Sequence, residues 1–232
     1  MELENKCLDF GMFTNNPEAM HKFYEGEIGL KFQGTTPMGP KFKLSRYSLN
    51  DSVLKLWHAS DPLPPRAAAG YKSLTVADPK AGSARNVKDP DGNQLVFVPP
   101  GQNQVDQIEF QMGVSDMAAA DRFYGDVLEA ERLGGGRYRL GRTILTFSAD
   151  PAARQVKTEA LTNPLDAVVA MSGVGFRYLT IQVRDGAAEY HRLMAKGGVN
   201  QGVGLTTGAG PLPALFMVRD PDGNWVEILQ RK

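Results

Sequence analysis

The sequence predicts an α+β protein in which one strand-and-helix unit is repeated, and three observations carry that prediction. A tight-turn sequence is written twice, as KDPDGNQLVFVP from Lys88 and as RDPDGNWVEILQ from Arg219. A second echo sets LDFGMFTNNPEAMHKFY, from Leu8, against IEFQMGVSDMAAADRFY, from Ile108, an offset of 100 residues. In both copies of that echo, strict apolar alternation gives way to a helix-start signal.

In the first copy Leu8, Phe10 and Met12 alternate as a strand, and Asn16 followed by Pro17 at the first helical position opens a helix. That helix carries Met20, Phe23, Tyr24 and Ile28 on one stripe, which must cover the apolar face of its sheet. Asp9 and Gly11 are left on the uncovered face. The lone Cys7 is read as a small buried strand residue, and Leu54, Leu56 and His58 follow strand spacing. YKSLTVADPKAGSARNV, from Tyr71, runs from a strand to the final hairpin with no room for a helix. The Asp-Gly pair that follows supplies the positive backbone dihedrals of a tight antiparallel turn. A calcium loop is excluded, because Gly92 stands fourth where such a loop needs it sixth, and strands rather than helices flank it.

The second copy starts with Ile108, Phe110, Met112 and Val114 as a strand, Asp116 as helix cap, and Ala120, Phe123, Tyr124, Val127 and Leu128 as the covering stripe. Glu109, Gln111 and Gly113 face away from that helix. GGGRYRLGR, from Gly134, reads as a hairpin with Arg137 and Arg139 on one face. FRYLTIQV, from Phe176, leads through Asp185 into a helix bearing Ala187, Tyr190, Leu193 and Met194, closed by Gly197. The glycine-rich stretch from Lys196 to Pro211 is read as a plain surface loop, with closure over a cleft as the alternative. The turns lie 131 residues apart (Asp89, Asp220) against the 100 of the strand echo, so the second copy holds 31 residues that the first lacks. The missing helix accounts for much of the difference. The first copy is a trimmed version of the second.

Bulk properties bound the function. At 232 residues and zero formal net charge, the chain lacks the basic surplus that nucleic acid or an anionic membrane attracts. It has one cysteine, hence no disulfide framework; MELENKCLDF lacks the basic start and apolar core expected of a signal peptide, and no run is of membrane-spanning length. The expectation is a cytoplasmic protein, monomer or homodimer, with a small-molecule partner.

Four motifs in register, the strand ending in VSD before a helix ending in FY and the late RDPDGNWVEIL among them, resemble the glyoxalase/bleomycin-resistance/dioxygenase superfamily, the vicinal oxygen chelate fold. The resemblance implies tandem βαβββ modules that pair into curled sheets around clefts, here as two domains, 1–100 (trimmed, non-catalytic) and 105–232 (carrying the active cleft). It also implies that Glu227, on one strand face with Trp225 and Leu229, binds a divalent metal or takes a proton from substrate. The remaining ligand positions it assigns are Glu109 and Tyr178, with Thr146 as a fourth. Their first-half counterparts are Asp9, Lys55, Ser73 and Val96, from which no metal site can be built. Enzymes of the family commonly have histidine at the positions of Glu109 and Tyr178; the three histidines, His21, His58 and His191, fall elsewhere, so ring-cleaving dioxygenase chemistry is not expected.

Two facing carboxylates repel unless a cation or a proton lies between them. Glu109 and Glu227 are therefore expected to hold Mg²⁺, Mn²⁺ or Zn²⁺, or, without metal, to share a proton, with Tyr178 donating to a developing enolate. Either arrangement suits a lyase or isomerase abstracting a proton next to a carbonyl. Gln111, Trp225 as an aromatic wall, and Arg139 as a carboxylate holder complete the expected substrate site. Three alternatives stay open: a metal-free protein that sequesters a hydrophobic compound, a catalytically silent relic, and simple pairing of the two glutamates with Arg137, Arg139 or other cations.

Overall fold

The computed structural model describes residues 1–64, 70–153, 161–197, 200–206 and 214–231. Four modules follow one another. The first is β1 (Asp9–Thr14), α1 (Pro17–His21, continued as a π-helical turn, Lys22–Glu27), β2 (Lys31–Pro37), β3 (Phe42–Leu49) and β4 (Ser52–Ala59). The second is β5 (Tyr71–Ala77), β6 (Arg85–Lys88) and β7 (Gln94–Val98), with no helix, as its short connection requires. The third is β8 (Ile108–Val114), α2 (Met117–Ala120, continued as π-helix Asp121–Val127), β9 (Glu131–Gly134), β10 (Arg137–Leu140) and β11 (Thr143–Ala149). After α3 (Pro164–Met171) the fourth comprises β12 (Gly175–Val183), α4 (Gly186–Lys196), β13 (Asn200–Thr206), β14 (Leu215–Arg219) and β15 (Trp225–Gln230).

The helix starts form as their sequences require. Asp116 accepts hydrogen bonds from the amides of Ala118 and Ala119, and Asp185 accepts one from Ala188, each satisfying donors that a first turn leaves unpaired. Of the glycine-rich stretch expected as a loop, Asn200–Thr206 forms β13, while 198–199 and 207–213 lie outside the described residues. The α3 helix was not foreseen.

These modules build two curled sheets. The eight-stranded sheet runs β13-β14-β15-β12-β1-β4-β3-β2, and the seven-stranded sheet β6-β7-β5-β8-β11-β10-β9. Module one thus pairs with module four, and module two with module three. This corrects the expected division into 1–100 and 105–232: the halves repeat in sequence, but each sheet draws strands from both. Antiparallel pairing of β1 with β12 joins the outer modules, and antiparallel pairing of β5 with β8 joins the inner ones; within module four β12 pairs with β15 in parallel.

The helix-covered faces of both sheets share one core. At its centre the repeat-related Phe10 and Phe110 meet edge to face at 5.1 Å, and Phe176 touches both, at 6.0 and 5.7 Å. Each fully buried aromatic of this kind contributes on the order of 1.5–3 kcal/mol. The two repeated motifs are physically coupled: Tyr24 of module one donates to Asp89 in the turn of module two (2.8 Å), and Tyr124 of module three donates to Asp220 in the turn of module four (3.0 Å). Each tie crosses from one sheet's helix to the other sheet's hairpin. Since the cores lie between the sheets, the helix-free faces point away from each other.

Candidate functional site

On the outward face of the eight-stranded sheet, strand alternation turns Val53, Lys55 and Trp57 of β4 outward while Leu54 and Leu56 enter the core. Glycine at Gly11, level with Lys55 on β1, makes room: a Cβ there would lie 1.8 Å from Cε1 of Tyr178, whose ring fills the gap. The Lys55 ammonium donates to Oε2 of Glu227 at 2.5 Å and to Oγ1 of Thr180 at 2.8 Å, and lies 5.5 Å from the centre of the Tyr178 ring. Thr180, level with Glu227 on the neighbouring strand, donates to the same Oε2 at 2.6 Å. Asp9, fully buried two residues along, accepts from the Val53 amide (2.8 Å) and the Gln182 side chain (2.6 Å).

Burial pushes the Glu227 carboxyl up, but the Lys55 charge and the bonds from Lys55 and Thr180 outweigh it, leaving a carboxylate below its ordinary range. Burial raises Asp9, with Lys55 opposing. Tyr178 is raised well above the ordinary phenol value, first by burial and then by the Glu227 charge.

Towards the other end of this face the lining is aromatic. Phe13 and Trp57 stack at 5.6 Å, Phe42 meets both edge to face, and Trp57 Nε1 donates to the Tyr178 hydroxyl at 2.8 Å. Trp225 joins the same cluster with the Arg219 guanidinium 5.3 Å from its ring centre. Over this wall α3 lays Ala167, Val168 and Met171, while Leu165 and Val169 on its other side face solvent.

Of the residues expected in one cleft, Glu227, Tyr178 and Trp225 do share this face. Glu109, Gln111, Arg139 and Thr146 lie on the other sheet, as do Ser73 and Val96. The convergence of Glu109 with Glu227 is therefore corrected: module three does not pair with module four, so the two acids stand on opposite outward faces. Glu109 instead accepts from Thr146 at 2.5 Å and lies 3.6 Å from Arg137. Gln111 is exposed, and Arg139 is engaged by Glu131 (2.9 Å) and Gln104 (3.1 Å).

Thr180, Gln182 and Trp57 were not expected in the site. The signal was present in FRYLTIQV, whose alternation aligns Tyr178, Thr180 and Gln182. The histidines are off both outward faces: His21 and His58 meet at 5.1 Å between α1 and the sheet, where burial, then the neighbouring His21 and Lys43, lower His58 to about 4, and His191 lies on α4.

Neither face has a donor set that fits a divalent metal. One has an ammonium among its oxygens; the other has a single carboxylate beside a guanidinium. Among the described residues no group of three or more His, Cys, Asp or Glu side chains is gathered closely enough to hold an ion.

Residues 104–228 match the family described as Glyoxalase/Bleomycin resistance protein/Dioxygenase superfamily. The chain belongs to this superfamily. Among solved structures, glyoxalase I from Zea mays superposes with a TM-score of 0.70 at 12% identity, covering 97% of this chain and 92% of that one. A putative dioxygenase from Bacillus subtilis gives 0.67 at 13%, covering 99% and 85%. At such identities the likeness to these superfamily members is one of fold alone. No curated protein sequence matches the chain. Among the described residues no helix is long and apolar enough to cross a membrane.

Proposed function

We propose that this superfamily member binds an aryl hydroxyketone or a chemically similar flat compound, without a metal, on the outward face of the eight-stranded sheet. One observation carries the reading. The Tyr178 hydroxyl accepts from Trp57 and keeps its own proton to donate, and Glu227 meets Lys55 and Thr180 through Oε2 alone, which leaves Oε1 on a partly exposed side chain to receive a ligand donor. A spare donor and a spare acceptor beside an aromatic wall suit a ligand offering a carbonyl and a hydroxyl. The ligand enters beneath α3 and stacks on Trp57 and Trp225.

Both tryptophans of the chain lie in this wall, so their fluorescence reports occupancy directly. Benzoin and related aryl hydroxyketones are expected to quench it saturably, and Glu227→Gln and Tyr178→Phe each to weaken binding about tenfold, the equivalent of one hydrogen bond. Equal binding by wild type and both variants, or no binding across the panel, refutes the proposal.

A second reading, a lyase or isomerase using Glu227 as base, draws on the same free Oε1 next to Tyr178. Against it stands the Lys55 pairing, which makes Glu227 a weak proton acceptor. Incubation in D₂O separates the two. A binding protein returns benzoin unlabelled; enzyme-dependent deuterium at the carbon beside the carbonyl, lost in Glu227→Gln, establishes the catalytic reading.

A further inference from the structure

We infer that Arg46 recognises a carboxylate on the bound compound, so that the outward face of the eight-stranded sheet selects acidic aryl ligands over neutral ones. The inference rests on the aryl hydroxyketone reading for the place of the ligand and adds the charge that the ligand carries.

The register of the sheet brings Arg46 to the site. It stands level with Lys55 on the neighbouring strand and therefore shares its outward face. Its guanidinium donates to Oγ1 of Thr36 at 3.0 Å, which draws it along the strand into the row formed by Thr36, Leu44 and Trp57. The Tyr178 hydroxyl is tied to the same row, because the ring fills the gap at Gly11 and its oxygen accepts from Trp57 Nε1. Arg46 and Trp57 are diagonal neighbours, about 7–8 Å apart at the backbone, a separation that long side chains bridge. Buried Leu44 lies beside both as an apolar floor. Burial and then the Glu227 charge raise the Tyr178 phenol, while the Arg46 charge opposes them, so its field reaches the hydroxyl that offers a proton to the ligand.

The other cations of this face are engaged. Lys55 is paired with Glu227, and the Arg219 guanidinium lies over Trp225. Arg46 meets only the neutral Thr36 hydroxyl and belongs to no ion pair among the described residues. Gly34, directly opposite it on β2, puts no side chain beside it, and the space where a Cβ would stand is open. A guanidinium presents five N–H donors in a planar fork that matches a carboxylate, and Thr36 takes only one of them. A carbonyl against the Tyr178 hydroxyl and a carboxylate against Arg46 thus fit one flat molecule lying over Leu44 and Trp57.

Tryptophan quenching is measured with benzoin, with the ring-carboxylated benzoins and their methyl esters, and with benzoate. Wild type is expected to bind the best of the acids about tenfold more tightly than its ester. That preference should shrink in about 1 M salt, where the screening length falls to about 3 Å. Arg46→Gln is expected to bind acid and ester alike, and Arg46→Lys, which keeps the charge but not the fork, to retain part of the preference. Equal affinity of the wild type for every acid and its ester overturns the inference. So does a preference that survives Arg46→Gln, since the charge then comes from elsewhere on the face. In either case saturable binding of benzoin leaves the hydroxyketone reading standing. Binding of benzoate but not benzoin, lost in Arg46→Gln, sinks that reading and keeps the role of the arginine; no binding by any of these compounds sinks both.

Discussion

Replacing Lys55 by methionine keeps the aliphatic stem and deletes the charge, which isolates what the ammonium does for Glu227. At 2.5 Å and an effective dielectric near 20 the pair attracts by roughly 6–7 kcal/mol, and desolvating both groups consumes much of that. The side chains are only 8% and 15% exposed, so solvent screens the unpaired carboxylate weakly. Removing one partner of such a pair typically costs about 3–5 kcal/mol, and the surviving Thr180 bond places this case near the lower figure.

The pH dependence has a definite sign. In the wild type the folded pKa of Glu227 lies below its unfolded value, so its contribution to stability is present above the unfolded pKa and is lost as pH falls through the folded one. In Lys55→Met burial acts unopposed and the folded pKa rises above the unfolded value. That variant gains stability as pH falls towards the unfolded pKa. The gap between the two proteins is thus widest near pH 7 and narrows towards pH 5. Lys55→Met/Glu227→Gln should recover to within about 1–2 kcal/mol of wild type, since neither charge remains buried. Urea titrations followed by tryptophan fluorescence at several pH values measure all three proteins. A Lys55→Met penalty below about 1 kcal/mol that is flat across this range refutes the claim that Glu227 depends on the ammonium.

Tyr124→Phe deprives Asp220 of one of its donors, and Tyr24→Phe does the same to Asp89. Each should cost about 1.5–3 kcal/mol, additively in the double variant because the ties are separate, with urea midpoints as the measure. Gly11→Ala places a methyl group against a Tyr178 ring held by Trp57, so it should cost about 1–3 kcal/mol and shift the tryptophan emission; unchanged stability and spectrum would mean that the ring moves freely.

Much of this fold is legible along the chain because local periodicity is a local quantity. The Leu8-Phe10-Met12 and Ile108-Phe110-Met112 alternations, the Asp116 and Asp185 caps and the missing helix after β5 all depend on neighbouring residues. So does the membership of Glu227, Tyr178 and Trp225 in one outward face. Which module pairs with which is another matter: alternation records the face a side chain takes but not the strand beside it. Pairing the halves in sequence order brought Glu109 to Glu227 and left Lys55 in a separate cleft. The sheets pair the outermost and innermost modules instead, delivering Lys55 to Glu227, while Glu109 stays with Arg137 of its own module. The cover helix α3 was missed because it lies in a connection outside the repeat, where no second copy exposes it.

The nested order of the modules also dictates when the molecule can finish folding during synthesis. All strands of the seven-stranded sheet have been made once Ala149 is added, whereas β1 must wait for β12 and β15 to complete its sheet. Until then β1 presents an open edge, the kind of surface that recruits foreign strands. A ribosome that stalls short of Gly175 releases a chain with one finished sheet and one sticky one, so loss of the last module damages the protein's beginning as much as its end.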